Sequence, residues 1–115
     1  NQIKLAKSEV EAAKSMAAFE KEQIRQTVIV RYQDLIFKHK LLQIKSRSLS
    51  DVRVNRQMVE KEFRNGIVPL SEYVKINNIT ADIEAAYEKA MSEFIIAKQL
   101  LEDMAGFEFN LIYLN

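Results

Sequence analysis

Apolar residues recur at sevenfold spacing along most of this chain, in one segment before residue 60 and in a second after residue 70. The series in the first segment is Val28, Leu35, Leu42 and Leu49, and Val52 and Val59 keep the same period. Sevenfold spacing places such side chains on one face of an α-helix. The pattern therefore predicts a long helix that packs an apolar seam against a neighbour.

The same segment carries a second apolar series on nearly the opposite face. This series consists of Val30, Phe37 and Ile44. A two-stranded coiled coil needs only one apolar seam. Two seams favour a helix with neighbours on both sides, as in a bundle or the wall of a helical barrel.

The heptad pattern is clearer after residue 70. Position a is occupied by Tyr73, Thr80, Tyr87, Phe94 and Leu101, and position d by Ile76, Ile83, Ala90, Ala97 and Met104. Five consecutive heptads with a single polar member predict a second long helix. A true coiled coil and an ordinary amphipathic helix of a bundle both fit, and both give a hairpin.

The stretch between the two segments, residues 63–71, holds the only proline and one of the only two glycines in 115 residues. Gly66 can adopt the left-handed conformation that ends a helix, and Pro69 suits the start of the next one. We therefore expect an all-α, coiled-coil-like antiparallel hairpin with helices at about 3–64 and 69–105. Ile67 and Val68 should be exposed at its tip.

The first helix should be unusually long, because residues 3–63 contain neither glycine nor proline. Sixty helical residues span roughly 90 Å. Three serines within residues 46–50 mark the point where a bend is most plausible, since serine side chains compete for backbone hydrogen bonds; we favour a continuous helix there. Residues 107–114 begin with alternating apolar residues and predict a short strand or an extended tail.

The two predicted helices carry opposite charge. Between Arg25 and Arg56 there are eight Lys or Arg residues against two acids, and between Glu72 and Asp103 there are seven acids against three lysines. We expect the two helices to complement each other when they fold together. An exposed ion pair contributes only roughly a few tenths of a kcal/mol, so this pattern bears on register and partner choice more than on stability.

Candidate catalytic chemistry is sparse. His39 is the only histidine, has no acid or second ligand three or four residues after it, and is expected to be a solvated residue on a helix face. Acids two residues apart, such as Glu60 and Glu62, point about 200° apart on a helix and cannot share a site. The chain has no cysteine, phosphate-binding loop or nucleophile motif. We expect no enzyme activity, no cofactor and no metal site.

Overall charge and hydropathy narrow the possible partners. The basic segment, with Tyr32 and Phe37 among its cations, could follow a phosphate backbone. However, Phe37 belongs to an apolar series and the net charge is only +1, so we expect no nucleic-acid binding. No apolar run approaches the ~20 residues of a membrane-spanning helix. The chain begins at Asn1 without an initiator methionine, and we expect a mature or excised fragment of a larger protein.

The stretch around the turn resembles the periplasmic tip of the TolC-type outer-membrane efflux proteins. The similarity is carried by residues 62–74, EFRNGIVPLSEYV. Residues 6–13 and 24–35 look like the long helix that enters that family's α-barrel, and residues 86–90 and 97–106 look like the returning helix. The family often has valine where Asn65 stands, and Leu-Asp-Ala-Gln where this chain has residues 74–77.

The resemblance implies one periplasmic helical hairpin, residues 1–115, of a trimeric outer-membrane channel in a Gram-negative bacterium. In such a channel the helices form a tunnel wall, and the tip docks to a periplasmic adaptor that links the tunnel to an inner-membrane pump or a type I secretion system. The positions that would contact the adaptor are Arg64, Asn65, Gly66, Ile67 and Leu70. Ile67 and Leu70 would supply apolar contacts, and Gly66 would allow close backbone approach.

A second interpretation stays open, in which the chain is a non-transport scaffold or dimerisation module. Flanking sequence would distinguish the two, since a signal peptide, strand pairs and a second hairpin would indicate a channel. In either case the apolar seams of an isolated hairpin would face water. We therefore expect the isolated fragment to self-associate.

Overall fold

The structure, a computed structural model, describes residues 1–105 and consists of two α-helices. Helix α1 spans Gln2–Arg64 and helix α2 spans Leu70–Ala105. The helices run antiparallel and form a rod of 96 × 26 × 15 Å. The predicted helical hairpin is confirmed, and each helix begins within one residue of the expected position. The strand or extended tail predicted at residues 107–114 lies outside the described residues.

Helix α1 runs for 63 residues without interruption. The serines at 46, 48 and 50 are all helical, which confirms the predicted continuity there. The absence of glycine and proline from this segment leaves no residue that would break the ladder of backbone hydrogen bonds. Within residues 1–105 nothing packs against its first 27 residues, where helix-forming residues continue without a helix breaker.

The core is a single seam between the helices, divided into two clusters. The cluster nearer the open end consists of Leu35, Phe94, Ala97 and Leu101, with Val28 and Leu42 packed against it. The cluster nearer the turn consists of Leu49, Val52 and Ile76, with Val59, Ile83 and Tyr87 packed against it. These are the residues of the first predicted seam of α1 and of the a and d positions of α2. Met104, at the last d position, is partly exposed.

Thr80 is the one polar residue at a predicted core position, and it is buried. Its hydroxyl donates a 2.7 Å hydrogen bond to the carbonyl oxygen of Ile76, one turn earlier. A buried hydroxyl with a partner avoids the desolvation penalty of an unsatisfied polar group. Thr80 therefore interrupts the apolar series without disrupting the seam.

The rod is only 15 Å thick, so each helix has one neighbour and one open side. Val30, Phe37 and Ile44, the second predicted seam of α1, are all more than half exposed. They lie away from α2 because they fall between the residues of the first seam. The hairpin therefore carries a continuous apolar row that nothing within residues 1–105 covers.

Helix α1 also extends beyond the paired part of the hairpin. Residues 1–27 are all exposed, and Val28 is the first residue that packs against the core. Apolar residues in this overhang keep the sevenfold spacing, at Ile3, Val10, Ala17 and Ile24. At about 1.5 Å per residue the overhang is roughly 40 Å long.

The predicted electrostatic complementarity between the helices is realised only in part. Arg53 and Glu84 form an ion pair between α1 and α2, at 2.8 Å. Arg56 donates a 2.9 Å hydrogen bond to the side-chain oxygen of Asn77. The other ion pairs of the described chain join residues three or four apart on one helix. Most of the opposite charge lies on outer faces, because the seam itself is mainly apolar.

Candidate functional site

The tip of the hairpin is closed by a compact helix-ending motif. The Ile67 N–H donates to the Glu62 carbonyl at 2.8 Å, and the Gly66 N–H donates to the Phe63 carbonyl at 3.0 Å. Gly66 has φ +71°. This pair of bonds around a left-handed glycine is the Schellman motif, which satisfies carbonyls that the end of a helix leaves without partners. Backbone hydrogen bonds around a left-handed glycine therefore close the turn.

Gly66 occupies open space as well as a left-handed conformation. A Cβ added to it would meet no atom within 4 Å. Two consequences follow. A larger side chain would fit there sterically within the hairpin, at the cost of backbone strain. It would also project outward from the tip, where it would block any partner that approaches the backbone closely.

Ile67 and Leu70 are the exposed apolar residues of the tip, at 69% and 59% of their surface. In a Schellman motif the residue at the Ile67 position commonly contacts an apolar residue in the last turn of the helix. Here the residues at those positions are Lys61 and Glu62, so the usual apolar contact of the motif is not available to Ile67. The tip thus presents two uncovered apolar side chains at the far end of a 96 Å rod.

Val68 and Pro69 complete the turn. Val68 is half-buried, so the expectation that it would be exposed beside Ile67 is wrong. Pro69 precedes the first residue of α2, and its carbonyl accepts a 3.1 Å hydrogen bond from the Glu72 N–H. The negative charge of Glu72 in the first turn also interacts favourably with the helix dipole.

The remaining predicted contact residues, Arg64 and Asn65, lie beside Gly66 at the end of α1. Arg64 is exposed, and its guanidinium pairs with Glu60 at 2.7 Å, one turn back along the helix. Asn65 is the C-cap, and its N–H donates to the Lys61 carbonyl at 3.0 Å. The structure therefore brings all five predicted contact positions together at one end of the molecule.

An aromatic pair at the base of the tip was not foreseen from the sequence. The rings of Phe63 and Tyr73 stack with centroids 5.1 Å apart and planes 9° from parallel. These residues end α1 and begin α2, so the stack joins the two helices just below the turn. The sequence signal that could have predicted this stack is the presence of one aromatic residue on each side of the Gly–Pro turn.

The other residues considered as functional candidates lie away from the tip. His39 is half-buried rather than solvated, because its ring packs on Phe94 of α2 with centroids 5.2 Å apart. Within residues 1–105 no cluster of three metal-ligating side chains occurs. Along the same residues, neither helix has a stretch apolar and long enough to cross a membrane.

A shallow groove runs along one side of the hairpin near its middle. Its volume is about 560 Å³, and Ser46, Ser50, Tyr87 and Met91 contribute to its walls. The two serines are small, so the side of Tyr87 remains uncovered between the helices. The groove is open and its walls bear no convergent set of charges, which makes it a weaker candidate site than the tip.

Comparison with known proteins found no match. No family model fits the chain, and neither a curated protein nor a solved structure is similar to it. The function is therefore inferred from the geometry of the tip, from the exposed faces and from the sequence pattern.

Proposed function

We propose that this chain is a segment of the periplasmic tunnel wall of a trimeric outer-membrane efflux channel, and that its tip docks to a periplasmic adaptor protein. The adaptor would connect the tunnel to an inner-membrane pump or a type I secretion system. On this proposal the chain is a passive conduit component. It performs no chemistry, and the partner pump drives transport.

The exposure of Ile67 and Leu70 at the end of the rod is the observation that carries this proposal. A turn that contacts no other protein is expected to carry polar residues, because apolar side chains contribute favourable free energy only when a partner removes them from water. Here the backbone motif already closes the turn, so neither side chain is needed to hold it. Both are available for contact with another protein.

Gly66 fits a role in the same contact. Its missing side chain lets a partner approach the backbone between Asn65 and Ile67, and the space around it is open. Arg64 lies at the edge of the contact, where its exposed guanidinium can add a polar interaction. The resemblance of residues 62–74 to TolC-type tips supports assigning these positions to adaptor docking.

Replacement of Gly66 in the full-length protein tests this assignment. Gly66→Trp should impair efflux while leaving protein level and trimer formation unchanged, because the indole would project into the adaptor contact. Gly66→Ala is the matched control, since it carries the same left-handed backbone strain without the bulk. Efflux should be retained in Gly66→Ala when both variants are measured by substrate accumulation in intact cells.

Unaltered efflux in Gly66→Trp would show that the tip assignment is wrong. Equal loss in the two variants would point to backbone strain rather than to a blocked contact, and would also count against docking at Gly66. Protein level and trimer formation, measured on the same cells, distinguish both outcomes from simple loss of the protein.

A scaffold or dimerisation module is the second candidate function. The observation that favours it is the unpaired overhang of α1, residues 1–27, which offers a long helical surface to another helix. A scaffold would not need an adaptor at its tip. Loss of binding partners on deletion of the overhang, with no effect of tip substitutions, would support this second function over the first.

A further inference from the structure

The overhang of α1 differs from the rest of the helix in what stabilises it. Residues 1–27 are all exposed, and Val28 is the first residue that packs against the core. Even large apolar side chains of the overhang, such as Ile3 and Ile24, are 72% and 61% exposed. Most helices in proteins owe their stability to tertiary packing of an apolar face. Within residues 1–105 the overhang has no such packing, so its helix depends on contacts along α1 itself.

Side-chain contacts of the overhang are local and exposed. The Gln26 amide donates a 3.1 Å hydrogen bond to the Glu22 carboxylate, and the Arg25 guanidinium lies 3.9 Å from the same carboxylate. Contacts between exposed residues three or four apart stabilise a helix only slightly. Both contacts join residues within one turn, so neither connects the overhang to α2.

The end of the overhang coincides with residues that favour a helix poorly. Residues 27–30, Thr-Val-Ile-Val, are the longest run of β-branched residues in the sequence, and we call them the junction. β-branched side chains lose rotamer freedom in a helix and so stabilise it less than alanine does. The Thr27 hydroxyl also donates a 2.9 Å hydrogen bond to the Gln23 carbonyl, a contact that slightly destabilises helices. Poor helix propensity and the loss of burial therefore occur at the same place.

The overhang itself has the composition of a helix. Residues 2–26 contain neither glycine nor proline and include five alanines. Alanine and the long charged side chains of this segment are strong helix formers. Helix is therefore the main state of the overhang, although no core contact is lost when it opens.

We propose that the overhang is an order–disorder element, which opens from helix to coil while the hairpin from Val28 to Leu101 remains folded. The junction sets the boundary of this opening. Local opening costs less free energy than global unfolding, because the core stays intact. A contact made only with the helical state would shift the equilibrium toward the helix. The chain thus carries a conformational switch in its first 27 residues, separate from the tip and independent of whether the tip docks to an adaptor.

Hydrogen exchange of the full 115-residue chain locates the opening unit. It is measured by mass spectrometry at low protein concentration and corrected for intrinsic rates. Amides of residues 6–24 should exchange on the order of a hundredfold or more faster than those of residues 35–49, because the latter exchange only when the hairpin unfolds. Equal protection of the two ranges would overturn the proposal.

Substitutions in the junction test whether it sets the boundary. Thr27→Ala combined with Val30→Ala replaces two exposed β-branched residues by the strongest helix former, and should slow exchange of residues 6–24 by about three- to tenfold. The matched control combines Ser48→Ala with Val54→Ala, two exposed positions in the paired part of α1, and should leave that exchange unchanged. Unaltered exchange in the junction variant, or equal slowing in both variants, would contradict the proposal.

Proline substitutions test whether the overhang unfolds separately. Ala13→Pro should reduce the helical circular dichroism signal but leave the urea midpoint of the hairpin unchanged, because the break falls where no core contact exists. Ala90→Pro is the matched comparison, since Ala90 is buried in the seam, and it should lower the midpoint strongly or prevent folding. A midpoint lowered by Ala13→Pro as much as by Ala90→Pro would show one cooperative unit and overturn the proposal.

Discussion

The rings of Phe63 and Tyr73 stack nearly parallel across the base of the turn, with their centroids 5.1 Å apart. One residue lies in the last turn of α1 and the other in the first turn of α2. The stack joins the two helices directly below the turn. Beyond it, backbone hydrogen bonds close the turn, and Ile67 and Leu70 remain exposed.

The stack should contribute measurably to stability. In a double-mutant cycle of Phe63→Leu and Tyr73→Leu, we expect a coupling free energy of about 0.5–1.5 kcal/mol, the usual value for aromatic pairs beyond their buried area. Urea unfolding followed by circular dichroism at low protein concentration measures it. Additive effects of the two substitutions would mean that the rings lie near each other without interacting.

Leu35 should be far more important to folding than an exposed leucine on the same helix. It is 0% exposed, whereas Leu5 in the overhang is 62% exposed. Leu35→Ala should lower the free energy of unfolding by about 2–5 kcal/mol, because it leaves a cavity in a core only two helices wide. Leu5→Ala is the matched control and should change it by less than about 0.5 kcal/mol. Similar effects of the two substitutions would contradict the pairing of the helices described here.

Substitutions of Gly66 should reveal backbone strain rather than steric collision. Gly66→Ala should destabilise the hairpin by about 1–2 kcal/mol, because an alanine at φ +71° adopts the left-handed region unfavourably. Gly66→Asn should cost less, since asparagine tolerates this conformation better than alanine. Thermal unfolding measures the stability of both variants. An asparagine variant less stable than the alanine variant would argue against a left-handed cap.

The Arg53–Glu84 ion pair should contribute little at ordinary ionic strength. Both side chains are about half exposed, so solvent screens their attraction. A double-mutant cycle of Arg53→Gln and Glu84→Gln should give a coupling of less than about 1 kcal/mol, and this coupling should decrease in about 1 M salt. A larger coupling that is insensitive to salt would indicate that the pair is less accessible than its position suggests.

The fold could be predicted almost completely from the sequence, because few competing signals were present. Within residues 1–105 the Gly66–Pro69 turn is the only interruption in a helix-forming sequence, and sevenfold spacing identified the core residues from Leu35 to Leu101. Both features act locally or with a fixed helical period, so neither depends on knowing the tertiary structure.

The side-chain environments could be predicted less well, since they depend on how the two helices rotate against each other. Val68 is half-buried although its neighbour Ile67 is exposed, and His39 packs on Phe94 instead of being fully solvated. The total charge of each helix also gave no indication of which charges would face the seam. Helical spacing fixes the relative directions of side chains, whereas the packing of the second helix decides which of them are covered.

Photo-cross-linking from the tip in intact cells tests the central claim, that the turn is the docking end of the molecule. A photoreactive amino acid is placed at Ile67 of the full-length protein, with Leu5 as the control position at the other end of α1. We expect ultraviolet light to produce an adduct with a periplasmic adaptor protein from position 67 and none from position 5. An adaptor adduct from position 5 alone, or no adduct from position 67 in cells with active efflux, would contradict the claim.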